Sequence, residues 1–442
     1  MQNFEEICLA LQERINLLEE ELGGLRRELD IVRNENKGLK IENAGLKERL
    51  GLNSKNSSIP SSKELYKINR ERPKSELSIG AQPGHKGVFR EKMKADEIVI
   101  VPLPEVCECG GNISLSNKPY IHQKVDIPEI KPYVVEYQMQ RGRCGKCGRR
   151  KSSLLPEGVG IDTFGPGVKT IISALTGFYR NSKQETVNIL KDIFNLEISI
   201  GSIVNSEKRV TVKCKDEYEK IEQALTYSKL LHIDETSHYN KGKLGWCWMF
   251  ANKEASFIKI ADSRAKRVLE NSMFGSGDNI IVTDRYAAYS YFNEENRQIC
   301  WAHLSRDFER FSHSFHGEVK TIGCYLKNIA AELFNLHKAL NNKETELITF
   351  LQEAKKLRKQ AYDYLKEISC TSAALHAARV AKNILKSENM MWKFLEDPLN
   401  IPLTNNLAER QIRHYVVYRK NSYFTWSELG NHFLERIISL YL

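Results

Sequence analysis

Between residues 4 and 50, apolar positions recur at alternating spacings of four and three. One seam runs Phe4, Leu11, Leu18, Leu25, Val32, Leu39, Leu46, and the other Cys8, Ile15, Leu22, Leu29, Asn36, Asn43, Leu50. This is the a/d stripe of a coiled coil. It predicts a dimerising helix over residues 1–50, about 70 Å long at ~1.5 Å per residue. The two Asn positions weaken the seam but specify register and favour parallel pairing. The alternative is an amphipathic helix packed against its own protein. The stripe stops at GLNSKNSSIPSSKE, a polar, Ser-rich stretch containing Pro60 that reads as a linker.

Further along, the periodicity changes twice. From Gly165 to about Tyr227 it is helical. SKQETVNILKDIF opens with a Ser cap and puts Val187, Leu190 and Phe194 on one face. NLEIS reads as a turn, and Ser199 caps the next helix. Helix, short turn and helix would suit DNA reading, but also suit a plain bundle. Then come strand-like runs: KLLHIDETSHY, GWCWMFA, SFIKIADS and, after a helical stretch SRAKRVLENSMF, NIIVTDRYAAYSYF with its own aromatic-rich helix. RQICWAHLSRDF reads as a last strand entering a helix. Three strands, helix, strand, helix, strand is the order of an RNase H-like sheet, in which the first and fourth strands are neighbours. Residues 318–390 look wholly helical.

Charge and cysteines add to this picture. The 442 residues carry 66 Lys+Arg against 56 Asp+Glu, a net charge of +10 that favours polyanionic partners. No apolar run approaches the ~20 residues of a membrane span, and the acidic N-terminus lacks a signal-peptide pattern. A cytoplasmic protein, associated with the nucleoid, is therefore expected. Residues 51–100 form a basic linker containing GAQPGHKG, either a solvated tether or an arm for phosphates. Next come Cys107-Glu108-Cys109-Gly110 and Cys144-Gly145-Lys146-Cys147-Gly148. Two such pairs suit a zinc ribbon with four thiolate ligands, with KPYVVEYQMQ as a strand between them. The first pair is tight, and His122 is a possible substitute ligand.

The carboxylates carry the candidate chemistry. Strand alternation puts His232 and Asp234 on one face, with Leu231, Ile233 and Glu235 on the other. Asp284 ends the later apolar strand, so the two aspartates would converge across neighbouring strands and could bridge hard cations such as Mg²⁺. Each is also explicable as a helix cap. After NIPLTN, Asn405 or Asn406 can cap a helix with Glu409 in its first turn, a place that favours acids in any case. Arg410, Arg413, Arg419 and Lys420 follow, among Tyr415, Tyr418, Tyr423 and Phe424, a mixture suited to nucleic acid.

Taken together, these motifs resemble those of the insertion-sequence-66 transposases over nearly the whole chain. NSSIPSSKE and GAQPGHKG resemble the family's linker motifs, and the cysteine pairs fall where it has a zinc-finger region. HIDET, VTDRYAAY, CWAHLSRDF and NNLAERQIR…RKNSYF look like successive catalytic motifs. The resemblance implies a DDE transposase with Asp234, Asp284 and Glu409 as the triad, holding two Mg²⁺ or Mn²⁺ ions, and structural Zn²⁺ on Cys107, Cys109, Cys144 and Cys147. It implies double-stranded DNA (element ends and target) as partner, a homodimer through the coiled coil, and accessory proteins of the same element. His303 and Arg306 would position a phosphate or orient a ligand, or merely cap and pack the following helix. Thr404 and Ser305 depart from the family's residues, and the chain ends at ERIISLYL where members continue, which leaves a decayed or regulatory DNA-binding copy as the alternative. The expected fold is multi-domain α/β. It comprises the coiled coil (1–50), the linker (51–100), a zinc-finger-like module (101–155), a helical segment (165–228), an RNase H-like core (229–430) with a helical insertion at about 318–390, and a shortened C-terminal end (431–442).

Overall fold

The computed structural model describes residues 2–50, 80, 84–87, 91–116, 118–275, 277 and 279–442. Most of the expected linker, including NSSIPSSKE and part of GAQPGHKG, lies outside the described residues. Helix α1 (Gln2–Leu50) is continuous, as its unbroken heptads require. Its seam is bare: Ile15, Leu22, Leu25, Leu29, Val32 and Leu39 are all exposed. At its described positions the stripe is therefore not buried against the chain's own body.

The cysteine-bearing region is largely extended and exposed. Strands β1 (Arg141–Arg143) and β2 (Arg150–Ser152) pair antiparallel as a small hairpin around the second cysteine pair. The strand expected at residues 131–140 does not form. Among the described residues no neighbouring strand lies alongside to take its hydrogen bonds, and Tyr133 is 93% exposed.

Four helices follow: α2 (Pro166–Ser173), which runs on through a π-helical turn at Ala174–Phe178, α3 (Lys183–Phe194), α4 (Ile200–Lys213) and α5 (Lys215–Thr226). Both expected serine caps are present. Ser182 Oγ accepts from Glu185 N at 3.1 Å while the Glu185 carboxylate accepts from Ser182 N at 2.7 Å, a reciprocal capping box. Ser199 Oγ accepts from Ser202 N at 3.2 Å. Ile172, Leu190 and Ile203 form the core of this unit, with Val187 and Phe194 against it.

Strands β3 (Leu230–Asn240), β4 (Lys243–Ala251) and β5 (Ser256–Ala261) form an antiparallel meander. Lys241 and Gly242, both at positive φ, make the two-residue turn between β3 and β4, which matches the twist of a hairpin. Helix α6 is a single turn (Arg267–Glu270), shorter than the sequence suggests. Arg264 is drawn inward to Glu235 and over the rings of Trp246 and Tyr286, so the preceding residues stay out of the helix. Strands β6 (Ile280–Thr283) and β7 (Arg297–Ile299) complete the sheet in the order β5-β4-β3-β6-β7, with β3, β6 and β7 parallel. The first and fourth strands are neighbours. The expected aromatic helix between β6 and β7 is a 3-10 turn (Ala287–Tyr291) instead. Its three-residue repeat turns Tyr286, Tyr289 and Phe292 toward the core, Tyr286 edge-on to Tyr289 and Tyr289 stacked with Phe292.

Beyond β7 lies a helical insertion with its own core: α7 (Trp301–Ser312), α8 (Gly317–Asn341), α9 (Leu347–Cys370), α10 (Leu375–Leu385) and α11 (Glu388–Met391). The buried Gln298 and Trp301 side chains both donate to Met391 O, at 3.1 and 2.7 Å, and fasten it to β7. Helices α12 (Asn406–Ser422) and α13 (Glu428–Tyr441) return to the sheet and cover the face of Cys247, Met249 and Ile258. The break expected at residue 430 falls inside α13. That helix is integral: Ser439 Oγ and Glu435 Oε1 accept from the backbone N–H groups of Ile258 and Ile260, at 2.9 and 2.7 Å. Among the described residues no helix is long and apolar enough to cross a membrane.

The α7–α8 hairpin depends on close backbone approach. A Cβ on Gly323 would fall 2.2 Å from Ser312 N and 2.4 Å from Phe311 C, and backbone cannot yield as a side-chain tip can. Gly323→Ala is expected to lower unfolding stability by ~1–3 kcal/mol, read from urea denaturation of the full chain. An unchanged midpoint would show that the hairpin has slack at this point.

Candidate active site

The site begins with strand register. β3 and β6 pair Leu230 with Ile280, Leu231 with Ile281 and His232 with Val282. Two rungs on, Asp234 lies within β3, where it also pairs with Met249 of β4, and Asp284 follows the last residue of β6. Backbone fixes one oxygen of each: Asp234 Oδ1 accepts from Glu235 N at 2.9 Å, and Asp284 Oδ1 from Tyr286 N at 2.8 Å.

Glu409 lies in the first turn of α12, and its charge acts on Asp234. Asn405, 1% exposed, holds that turn in place. Its amide Nδ2 donates to Ile233 O at 2.7 Å, its Oδ1 pairs with His232 Nδ1 at 3.0 Å, and its backbone N donates to Cys300 Sγ at 3.2 Å. Trp301 N donates to Leu403 O at 2.9 Å alongside. Asn405 occupies the cap position as expected, but its side chain does not cap the helix. It bridges to the strand that carries Asp234. Burial holds His232 neutral, with its pKa lowered to about 4.

The charges crowd. The Asp234 carboxyl is pushed well above the usual carboxylate range, first by burial and then by Glu235, Asp284 and Glu409. Glu409 Oε1 and His303 Nδ1 are both shielded from solvent without a hydrogen-bond partner, and lie 3.7 Å apart. Burial, then the Arg306 charge, push the His303 imidazole toward neutral, against the pull of Asp284. Repelling carboxylates and orphaned buried ligand atoms are what a cation would relieve.

On the opposite face of β3, Glu235 is buried and receives Arg264 Nε at 2.7 Å and the Tyr289 hydroxyl. The Arg264 guanidinium lies 3.6 Å from the centroid of Tyr286. Tyr286 and Tyr289 both follow Asp284, so this network grips the turn that presents it. The alternation pattern put Glu235 on the apolar face. A carboxylate there was the signal that it needed buried partners, and those partners were not identified from sequence.

Along α12, Arg410, Arg413 and Lys420 are exposed and fall on one face at ~100° per residue. Arg419 does not join them. Its guanidinium donates to Thr236 Oγ1 at 2.8 Å, Ser237 Oγ at 3.0 Å and Ser237 O, which docks α12 on β3. The phosphate role expected for Arg419 is thus replaced by an internal one.

The sequence profile described as Transposase IS66 family matches residues 177–432, a stretch that contains the sheet, the insertion and α12. The chain belongs to the transposase IS66 family. It is also 25% identical over 207 residues to an uncharacterized protein of Sinorhizobium fredii (strain NBRC 101917 / NGR234), a match covering 42% of this chain and 38% of that protein. The chain thus spans well under half of that curated relative.

In this IS66-family chain the two cysteine pairs lie outside the matched region. Each forms a tight turn: Gly110 N donates to Cys107 O at 2.8 Å, and Gly148 N to Cys144 O at 2.9 Å. Gly110 and Gly148 take the positive φ these turns need. The Cys107 thiol is lowered by hydrogen bonds from Cys109, and that of Cys144 by the backbone of Cys147 and Lys146. Among the described residues the four thiols are not gathered into one cluster. The ligand atoms that do gather are those of Cys300, His303 and Glu409. His122 is exposed.

Because the folded state raises the proton affinity of Asp234, its contribution to stability is present below the unfolded carboxylate value of ~4 and is lost as pH rises through the higher folded value. Asp234→Asn should therefore raise stability at pH 7 by ~0.5–2 kcal/mol, a gain that shrinks as pH falls toward 4. Thermal melts of both proteins in chelator across that range provide the check, and a pH-independent difference would refute the electrostatic account.

Proposed function

We propose that this chain is a DNA transposase of the DDE type. It would bind the ends of an insertion element, hydrolyse a phosphodiester bond there and join the freed 3′-hydroxyl to target DNA. The observation that carries this reading is the parallel pairing of β3 with β6, whose register sets Asp234 beside Asp284, together with the charge of Glu409 acting on Asp234 from the start of α12. The core would be RNase H-like, a reading supported by the strand order β5-β4-β3-β6-β7.

The three carboxylates suit hard divalent cations. Their mutual repulsion and the unpartnered Glu409 oxygen fit such an occupant. Mg²⁺ or Mn²⁺, two per site, would supply Lewis-acid stabilisation to the phosphate and its leaving oxygen. Both chemical steps are in-line displacements at phosphorus, with water as the first nucleophile and the 3′-hydroxyl as the second. The protein's part is positioning. Asp234 and Asp284 are fixed by backbone N–H groups, and Glu409 is set by the Asn405 bridge. Arg410, Arg413 and Lys420 would take backbone phosphates along the exposed face of α12. His303 and Arg306 would line the approach to Glu409. Cys107, Cys109, Cys144 and Cys147 would hold a structural zinc, a donor set that closes a small module with little core of its own.

The uncovered seam of α1 would pair with the same seam of a second copy, in parallel. A parallel dimer sets two DNA-binding regions side by side, as the joining of two element ends requires.

Two experiments test this reading. Cleavage of a labelled duplex carrying the element's own terminal repeat should need Mg²⁺ or Mn²⁺. It should vanish in Asp234→Ala, Asp284→Ala and Glu409→Ala, with end binding retained in all three. Wild-type cutting by any one variant would remove that residue from the triad. In light scattering, the full chain should have the mass of a dimer and the Leu22→Glu, Leu29→Glu double variant the mass of a monomer. A monomeric parent would end the coiled-coil proposal.

A further inference from the structure

Cys300 and His303 stand three residues apart at the start of α7, and Glu409 faces them from the start of α12. One ligand atom from each, a sulfur, an imidazole nitrogen and a carboxylate oxygen, lies within 4.8 Å of the other two. Backbone holds the two helix starts together, through Asn405 N to Cys300 Sγ and Trp301 N to Leu403 O.

Packing alone does not account for this trio. His303 Nδ1 and Glu409 Oε1 are sealed from solvent and unpaired. Their 3.7 Å separation is too long for a hydrogen bond. It is close to the ~3.4 Å expected between two ligands of one tetrahedral ion with bonds of about 2.1 Å. The donor types also differ from those of the aspartates. Oxygen ligands suit Mg²⁺, whereas sulfur, nitrogen and oxygen together suit a borderline transition cation.

We propose that Cys300, His303 and Glu409 form a separate cation site, selective for a transition metal of the Zn²⁺ or Co²⁺ class, with Glu409 shared between it and the aspartate pair. The site goes beyond the DNA-cutting reading, which calls only for hard oxygen ligands. On binding, the Cys300 thiol gives up its proton to solvent as the metal–sulfur bond forms, so one proton is released per ion bound. Burial raises the Cys300 thiol above its usual value, and the backbone N–H that the sulfur accepts from Asn405 offsets this only in part, so the proton leaves only as the ion arrives. An occupied site ties α7 to α12 through the residue that α12 contributes to the carboxylate cluster.

The test is a Co²⁺ titration of the full chain, followed through thiolate-to-cobalt charge-transfer absorption. Parent, Cys300→Ser, His303→Ala, Asp234→Ala and Cys144→Ser proteins would be compared. Cys144→Ser identifies absorption from the other cysteine pairs. The expected result is one absorbing component absent in Cys300→Ser, at least tenfold weaker in affinity in His303→Ala, and kept in Asp234→Ala and Cys144→Ser. A component unchanged in Cys300→Ser and His303→Ala overturns the site. Equal loss in Asp234→Ala overturns its separateness. Should Cys300→Ser fail to fold, His303→Ala decides the matter, because His303 is partly exposed and its replacement can be checked by circular dichroism. Cobalt binding needs no DNA, so failure of the transposase reading would appear in the cleavage assay and leave this result standing.

Discussion

Asn405 is the joint on which the site depends. Its side chain reaches across 172 positions of sequence to Ile233 O and 173 to His232 Nδ1, while its backbone N–H meets Cys300. Three elements that must agree on one point are thereby fixed by one residue: the strand carrying Asp234, the helix carrying Glu409, and the helix carrying His303. All these groups are buried, and a buried amide left without partners costs ~1–3 kcal/mol. The bridge is therefore close to all-or-none, and so is the placement of α12.

Around that joint the chain keeps a local electrostatic conflict. Glu235, Asp284 and Glu409 all crowd Asp234 with like charge, and Asp284 does the same to Glu235 just behind. The fold contains the conflict from the other face of the sheet. Arg264 and Tyr289 satisfy Glu235, and Arg264 also lies over Tyr286, so the turn presenting Asp284 is gripped on both sides. Stability given up at such a point is characteristic of a site prepared for an ion or substrate.

What the sequence disclosed follows from the range of each interaction. Local signals were legible: the heptads of α1, the Ser182 and Ser199 caps, and the position of Asp284 just past its strand all depend on neighbours within a turn or a strand, whereas β3 runs on past Asp234 to Asn240. Glu409 in a first turn was legible for the same reason. Long-range partners were not. Asn405 reads locally as a cap, yet its side chain is taken by β3. Arg419 reads as one of a basic run, yet its angle on α12 turns it to Thr236 and Ser237. Residues 131–140 alternate like a strand, but alternation cannot supply the missing neighbour. The helix expected after β5 is cut to one turn because Arg264 is needed elsewhere.

Ser439 and Glu435 give α13 a role beyond packing. β5 ends the sheet on its side, and an outermost strand with free N–H groups is a template for any other extended chain. Side chains of α13 occupy two of those donors, at Ile258 and Ile260. A protein with a long extended segment of its own, rich in exposed Val, Ile and Tyr, has reason to close that seat. The last helix thereby occupies part of the edge at which another extended chain could pair.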